Sequence, residues 1–270
     1  EIVDKFIIFQ SKYTHSGNQK PIYLKQNDPI IHKYSNKIIL TTGMTKIITR
    51  NPRIREMLQR ELITRELSKL NLTSKSIIIH SDCDEIPKAE ILEQLSHRES
   101  NVNCLLELRN YSNHLNLANG IWARPRIQSY SLFRSIQSMR QDIFLNMGLK
   151  QRRSNLRLIK VPDYWTTRRY GLHRIPMLAK SINLEIINDA GWHFNNLMPE
   201  ADLLQKIENS CHVELNTEEI RQRAILNYRE GREIYTGKNL NLVEIDNTYP
   251  IHVLQNIDRW AKYIYKKEKI

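Results

Sequence analysis

The pattern of apolar and polar positions along the chain predicts short strands that alternate with helices. Three short apolar runs predict strands, at Lys5–Gln10, Lys37–Thr42 and Ser76–His80. Asn51-Pro52 predicts a helix start, and apolar residues then recur at helical spacing to about Leu70. The run Ile77-Ile78-Ile79 is typical of a strand that is buried on both faces, as in a parallel sheet.

Later segments continue this alternation. Further strands are predicted at Leu105–Asn110, Ser129–Phe133, Leu156–Val161 and Leu184–Ile187. Further helices are predicted at Lys88–Leu95, Ala201–Asn209 and Glu218–Arg229, with a last one beginning at Pro250. No linker rich in Gly, Pro or Ser interrupts the chain. We therefore predict one α/β domain over residues 1–270, with a mixed, mostly parallel central sheet flanked by helices.

The charge and composition narrow the function classes. The net charge of +12 favours anionic partners, but the basic residues are spread along the chain, and a solvated basic surface is the alternative interpretation. Neither zinc-finger spacing nor an RNA-binding signature is present, so no nucleic-acid partner is expected. No apolar run reaches the roughly 18–20 residues of a membrane helix. The three cysteines do not form a disulfide framework.

The first residues run directly into a predicted strand without an initiator Met. We therefore expect the natural N-terminus, and any membrane anchor, to lie upstream of Glu1. Two sequons, Asn71-Leu72-Thr73 and Asn110-Tyr111-Ser112, are weak support for a secretory location.

The sharpest chemical signal is the acidic stretch Asp82-Cys83-Asp84-Glu85, directly after the predicted strand Ser76–His80. Ligands bind at the carboxyl ends of strands in open α/β sheets. Carboxylates suit Mg²⁺ or Mn²⁺, and such ions are bound partly through substrate phosphates. The stretch therefore favours a metal–diphosphate site, whereas capping of the next helix is the structural alternative.

With its neighbours, this stretch resembles a known family. Residues Ile79 to Pro87 (IHSDCDEIP) look like the signature of glycosyltransferase family 17, the family of β-1,4-mannosyl-glycoprotein β-1,4-N-acetylglucosaminyltransferase. The segment Ala190-Gly191-Trp192-His193-Phe194 resembles its second hallmark, and Thr14-His15-Ser16-Gly17 resembles an early loop. The likeness runs from Glu1 to about Trp260.

The resemblance implies a GT-A-like fold that lacks its first strand and helix here. It also implies an inverting transfer of N-acetylglucosamine from UDP-GlcNAc, with Mn²⁺ or Mg²⁺, to a glycan or glycoprotein acceptor that contains mannose, in β linkage. A eukaryotic member is expected on the lumenal side of the Golgi membrane, held by an anchor outside this fragment. A bacterial member is expected in the cytoplasm.

The candidate metal ligands are Asp84, Asp82 and, as an imidazole ligand, His193. Asp82 is also a candidate for contact with the donor ribose, and Glu85 for a supporting carboxylate or a helix start. For His193 the alternative is a structural histidine beside Trp192.

An inverting mechanism needs a base that takes the proton of the acceptor hydroxyl. Asp189 and Glu107 are the candidates, and Asp189 is preferred because it precedes His193 by four residues. Arg60 and Arg53 are candidates for binding the donor diphosphate, and the alternative is a salt-bridged helix face with Glu56.

Two other hypotheses compete with an enzyme. One is a relative of this family that binds nucleotide or carbohydrate but is catalytically impaired. The other is a nucleic-acid-binding protein, motivated only by the net charge of +12, whose affinity would fall steeply with salt.

Overall fold

The computed structural model describes residues 2–43, 49–140 and 184–266. The strands are β1 (Phe6–Ser11), β2 (Ile38–Gly43), β3 (Ile77–His80), β4 (Glu85–Pro87), β5 (Asn103–Ser112), β6 (Leu117–Ser129), β7 (Glu185–Ile187), β8 (Gly191–Asn195) and β9 (Asn241–Leu242). The helices are α1 (Pro29–Lys33), α2 (Pro52–Leu67), α3 (Ala89–Ser96), α4 (Glu200–Asn209), α5 (Glu218–Arg229), α6 (Ile251–Gln255) and α7 (Ile257–Trp260). Residues 136–140 are also helical.

Local capping chemistry explains where the two longest of these helices begin. The Asn51 side chain accepts hydrogen bonds from the backbone N–H groups of Arg53 and Ile54, and Pro52 occupies the first turn of α2. Thr217 caps α5 by accepting from the N–H of Ile220. Both predicted helix starts are confirmed.

The strands form two sheets. Strands β1 and β2 pair in parallel as a two-stranded sheet, against which α2 packs. The other seven form one sheet in the order β3-β6-β5-β8-β4, with β7 also paired to β5 and β9 to β6. In this larger sheet β5 is parallel to β7 and β8, whereas the pairs β3–β6, β5–β6, β4–β8 and β6–β9 are antiparallel.

The prediction of a mostly parallel sheet is therefore wrong, because the sheet is mixed. Strand β3 was expected at the centre of a parallel sheet but lies at one end of the sheet order. Its apolar run has another cause. Ile77 and Ile79 pack into the core beneath α3, while Ile78 packs into a second core on the other side with Leu67 of α2. Both faces are covered even though β3 is at the edge.

Two further predictions fail locally. The predicted strand Ser129–Phe133 is mostly a turn, and the strand before it, β6, was missed. Ile86-Pro87, expected to open the helix predicted at Lys88–Leu95, belongs instead to β4, which pairs with β8, and the helix itself is present as α3. The predicted strand Leu156–Val161 lies outside the described residues.

The carboxyl-terminal third packs on its own apolar cluster, formed by Leu203 and Ile207 of α4 with Ala224 and Tyr228 of α5. All three cysteines are free thiols. Within the described ranges, no helix is both long enough and apolar enough to cross a lipid bilayer.

Candidate functional site

The acidic stretch forms a closed turn between β3 and β4. The Glu85 backbone N–H donates to the Asp82 carbonyl at 3.0 Å, and the Asp82 N–H donates to Glu85 Oε2 at 2.7 Å. Glu85 is only 3% exposed, and its other oxygen accepts from Trp122 Nε1 at 2.6 Å. Glu85 therefore holds the turn from inside, which fits the supporting role that the sequence suggested for it.

The surroundings of Glu85 disfavour the charged form of its carboxyl group. Burial raises its pKa, and the negative charge of Asp82 adds to the increase, while the bonds from Trp122 and the nearby Arg140 act in the opposite direction.

Asp82 faces a cluster of arginines. Arg140 Nη2 lies 2.7 Å from Asp82 Oδ2, and Arg60 Nη2 lies 3.8 Å from the same oxygen. Burial raises the pKa of Asp82, but the charges of Arg140 and Arg60 outweigh burial, so the pKa is lowered. Arg124 is also affected by these charges. Its pKa is lowered, mainly by burial and further by the charge of Arg140. Two guanidinium groups, those of Arg140 and Arg60, thus contact the first aspartate of the stretch.

Asp84 faces His193 instead. Asp84 Oδ2 lies 3.6 Å from His193 Nε2, and the Phe194 N–H donates to the Asp84 carbonyl at 3.0 Å. The imidazole is oriented from its other side. The Asn110 amide nitrogen donates to the Asn119 carbonyl, so Asn110 Oδ1 must accept from His193 Nδ1, at 2.9 Å.

In the neutral imidazole, this arrangement leaves a lone pair on His193 Nε2, the nitrogen that faces the Asp84 carboxylate. Two acceptors that face each other at 3.6 Å repel unless a proton or a metal ion lies between them. Ligand bonds of about 2.1 Å would place a divalent ion between these two atoms after a small movement. The orientation of a ligating histidine through its second nitrogen is the usual arrangement in metal sites.

Strand pairing brings the two sequence hallmarks together. In the β4–β8 ladder Glu85 is opposite His193 and Pro87 is opposite Gly191. The His193 ring stacks on Trp122, with ring centroids 4.5 Å apart. Gly191 has a φ of +154°, and a Cβ there would lie 2.1 Å from the Ile86 carbonyl oxygen. Glycine is required at this position because β4 passes directly over it.

The predicted ligand set is only partly assembled. Asp84 and His193 face one another, whereas Asp82 is paired with Arg140. Among the described residues, Asp82, Asp84 and His193 do not form a group whose ligand atoms all lie within 4.8 Å of one another. The arrangement offers a divalent ion two protein ligands, and an ion that binds largely through substrate phosphates and water needs no more.

The sequence also matches a known protein family. The sequence model of glycosyltransferase family 17 matches residues 1–147. The chain belongs to glycosyltransferase family 17. No curated protein and no solved structure matches it significantly. The suspected resemblance is confirmed, and the chain is by family a glycosyltransferase, with a sugar donor and an acceptor as its substrates.

The family match covers the acidic stretch but ends before Gly191. The connection between the family-17 motif and His193 therefore rests on the β4–β8 pairing.

The two candidate bases lie elsewhere. Both oxygens of Asp189 accept from Arg109, and Oδ2 also accepts from Lys88 at 2.8 Å. The bonds from Arg109 lower the pKa of Asp189, which weakens it as a base. Glu107 precedes Leu108, the residue opposite Trp122 in β6, and successive strand residues point to opposite faces. Glu107 therefore points away from the face that carries Trp122 and His193.

The two candidate diphosphate ligands lie in different surroundings. Arg60 makes the salt bridge with Glu56 that was the alternative interpretation, at 2.7 Å, and also lies 3.8 Å from Asp82. Arg53 pairs with Glu214 on the surface, where both side chains are 51% exposed. Of the two, Arg60 alone has a recorded contact with the acidic stretch.

The sequence did not single out Arg124, Arg140 or Asn110. Arg140 is 58 positions from its partner Asp82. Asn110 is 83 positions from His193 and was noted only as part of a sequon. The missed signal is the pair Trp122 and Arg124 in β6, where the Arg124 guanidinium carbon lies 5.5 Å from the centroid of the Trp122 ring.

Proposed function

We propose that this family-17 chain is an inverting transferase that moves N-acetylglucosamine from UDP-GlcNAc to a mannose-containing, N-glycan-like acceptor in β linkage. The family supports glycosyl transfer, and the hallmark sequences support this donor and acceptor. The observation that carries the proposal is the facing pair of Asp84 and His193, in the same turn as Asp82, which contacts Arg140 and Arg60.

Asp84 Oδ2 and His193 Nε2 are the atoms that would hold Mn²⁺ or Mg²⁺. The ion, when bound with the donor, neutralises the charge that develops on the leaving diphosphate. Asn110 fixes the imidazole, and Trp122 supports both His193 and Glu85.

Arg60 and Arg140 would bind the diphosphate oxygens. In the free protein they contact Asp82, and Arg60 also contacts Glu56. Guanidinium groups form strong paired hydrogen bonds with phosphate, so the donor diphosphate is a matched partner for them. Asp82 would then orient Arg140, and its contact with the donor ribose remains part of this proposal.

We place this activity in a single GT-A-like catalytic domain, on the lumenal side of the Golgi in a eukaryotic source or in the cytoplasm in a bacterial one. In a lumenal location, a sequon can be glycosylated only where its asparagine is accessible. Asn110 is 8% exposed and its side chain is hydrogen-bonded to His193, so it is not accessible for glycosylation. Asn71 is exposed in a loop and is the better acceptor of the two.

The test is transfer and donor hydrolysis with UDP-GlcNAc, with and without Mn²⁺. Asp84→Ala is expected to lower kcat by at least about 100-fold, the size of a lost electrostatic stabiliser of the transition state. His193→Gln is expected to raise the Mn²⁺ concentration needed for half activity. Asp4→Ala, which removes an exposed carboxylate, is the control. An Asp84→Ala variant with unchanged rate and metal dependence would refute the metal role.

A second candidate function is nucleotide-sugar binding without turnover. It is favoured by one observation: the candidate bases Asp189 and Glu107 do not lie with Asp84 and His193 in the described structure. Calorimetric titration with UDP and a product assay separate the two functions. Metal-dependent UDP binding with no product from any acceptor favours this candidate, and catalytic transfer excludes it.

A further inference from the structure

A second cluster of potential metal ligands lies outside the acidic turn. It combines His15, from the loop after β1, with Glu56 of α2 and Cys211, which lies just beyond α4. One ligand atom from each residue lies within 4.8 Å of the others. Cys211 is 8% exposed, and the other two side chains are partly buried.

The loop that carries His15 is held firmly in place. Arg55 is 2% exposed, and its guanidinium donates to the carbonyls of His15 and Ser16, both at 3.0 Å. Gly17 has a φ of +110°, and a Cβ there would lie 2.9 Å from Arg55 Nη2. This backbone is therefore preorganised before any ligand binds.

The segment that carries Cys211 is tied to the same loop. The Ser16 N–H donates to the Asn209 carbonyl at 3.4 Å, and Asn18 Nδ2 donates to Asn209 Oδ1 at 3.3 Å. These contacts are polar, and the apolar cluster of α4 and α5 includes no residue of α2. The three candidate ligands thus meet at a polar seam between the first and last thirds of the chain.

We propose that His15, Glu56 and Cys211 bind a zinc ion, separate from the Asp84–His193 pair, that joins these three segments. Nitrogen, carboxylate oxygen and thiolate sulfur are the ligands that zinc takes in proteins. Three protein ligands leave a fourth position of the tetrahedron for water. The site goes beyond the proposed function and does not depend on it.

The distances fit this ion. Zinc bonds of about 2.0–2.3 Å place tetrahedral ligand atoms roughly 3.3–3.6 Å apart. Atoms that are at most 4.8 Å apart need to close by at most roughly 1.2–1.5 Å. The charges fit as well, because one thiolate and one carboxylate neutralise a divalent ion, which lets it lie beside the Arg60 cation.

Neighbouring groups orient the ligands. Gln59 hydrogen-bonds His15, and Arg60 Nη2 donates to Glu56 Oε1, which leaves the second oxygen of Glu56 for the ion. Without metal, the Cys211 thiol donates to Glu56. Burial, with the charge of Glu56, raises the pKa of Cys211 to about 12, so the thiol is a poor nucleophile. A bound divalent ion deprotonates such a thiol directly, so binding should release protons.

The test uses the metal alone as its probe. Cobalt(II) is titrated into the metal-free chain, and a sulfur-to-cobalt charge-transfer band is expected at one equivalent and is removed by zinc. Cys211→Ala should abolish the band. Cys83→Ala is the matched control, because Cys83 is the exposed thiol of the acidic turn, and it should retain the band, as should Asp84→Ala.

His15→Gln and Glu56→Gln are each expected to weaken zinc affinity at least about tenfold, since even partners of metal ligands contribute about 10- to 100-fold. These variants decide the matter if Cys211→Ala does not fold. His212→Gln, which changes an exposed neighbour, should leave the affinity unchanged. The proposal is overturned if the wild type gives no band, if the band follows Cys83, or if neither His15→Gln nor Glu56→Gln changes the affinity.

Discussion

The close passage of β4 over Gly191 gives a quantitative prediction. In Gly191→Ala the new methyl carbon would lie 2.1 Å from the Ile86 carbonyl oxygen and 2.8 Å from Pro87 Cα. Both are backbone atoms, so no side-chain rotation relieves the contact. Forced overpacking costs about 1–3 kcal/mol, and a non-glycine residue in a disfavoured backbone region costs about 1–3 kcal/mol more. The expected loss of unfolding free energy is therefore about 2–6 kcal/mol, out of about 5–15 for a typical domain.

Gly120 provides the matched control. Its φ is +73°, but nothing lies within 4 Å of a Cβ built there. Gly120→Ala should therefore show the backbone cost alone, about 1–2 kcal/mol. Urea unfolding of the two variants separates the steric part. At a slope of about 2 kcal/mol per molar, a loss of 3 kcal/mol lowers the urea midpoint by roughly 1.5 M.

Gly191→Ala should also weaken Mn²⁺ binding, because it displaces the strand that carries His193. If Gly191→Ala is no more destabilising than Gly120→Ala, the two hallmarks do not pair as described.

Three further predictions concern single side chains. Trp122→Phe keeps a ring against His193 but removes the donor to Glu85 Oε1, so urea unfolding should show a loss of about 1.5–3 kcal/mol; an unchanged midpoint would exclude that bond. Because the pKa of Asp82 is lowered in the folded protein, its charged form stabilises the fold. This stabilisation is complete above the ordinary pKa of about 3.9 and is lost as the pH falls through the folded-state pKa. The stability advantage of wild type over Asp82→Asn should therefore shrink below about pH 3.9, and parallel pH profiles would contradict this. Asp189→Asn should change kcat by less than about tenfold, since its carboxylate is already ion-paired, whereas loss of about 100-fold or more would identify it as the base.

The sequence predicted local structure where local chemistry determines it. The caps at Asn51 and Thr217 depend only on neighbouring residues, and both helix starts were found. The direction of strand pairing depends on partners far along the chain, so the apolar run of β3 predicted a strand but not its antiparallel pairing with β6. Strand β6 was missed because Asn119-Gly120 and Pro125 interrupt its pattern and are typical of turns.

The candidate site shows the same limit. Asp82, Asp84 and His193 could be proposed from the sequence because each lies in a recognisable short segment. Arg140 was not, since its role depends on contact with Asp82 across 58 positions. The ion pair between Asp189 and Arg109 was not predicted for a similar reason, because the two residues are 80 positions apart.

The pairing of Glu85 with His193 spans 108 positions of the chain, 193 − 85. Translation at about 5–20 residues per second delivers the second partner roughly 5–20 s after the first. During that interval the acidic turn has left the ribosome without the strand that completes it. A nascent chain therefore cannot bring Asp84 and His193 together until β8 has emerged, so the metal binding proposed for this pair would come late in biosynthesis.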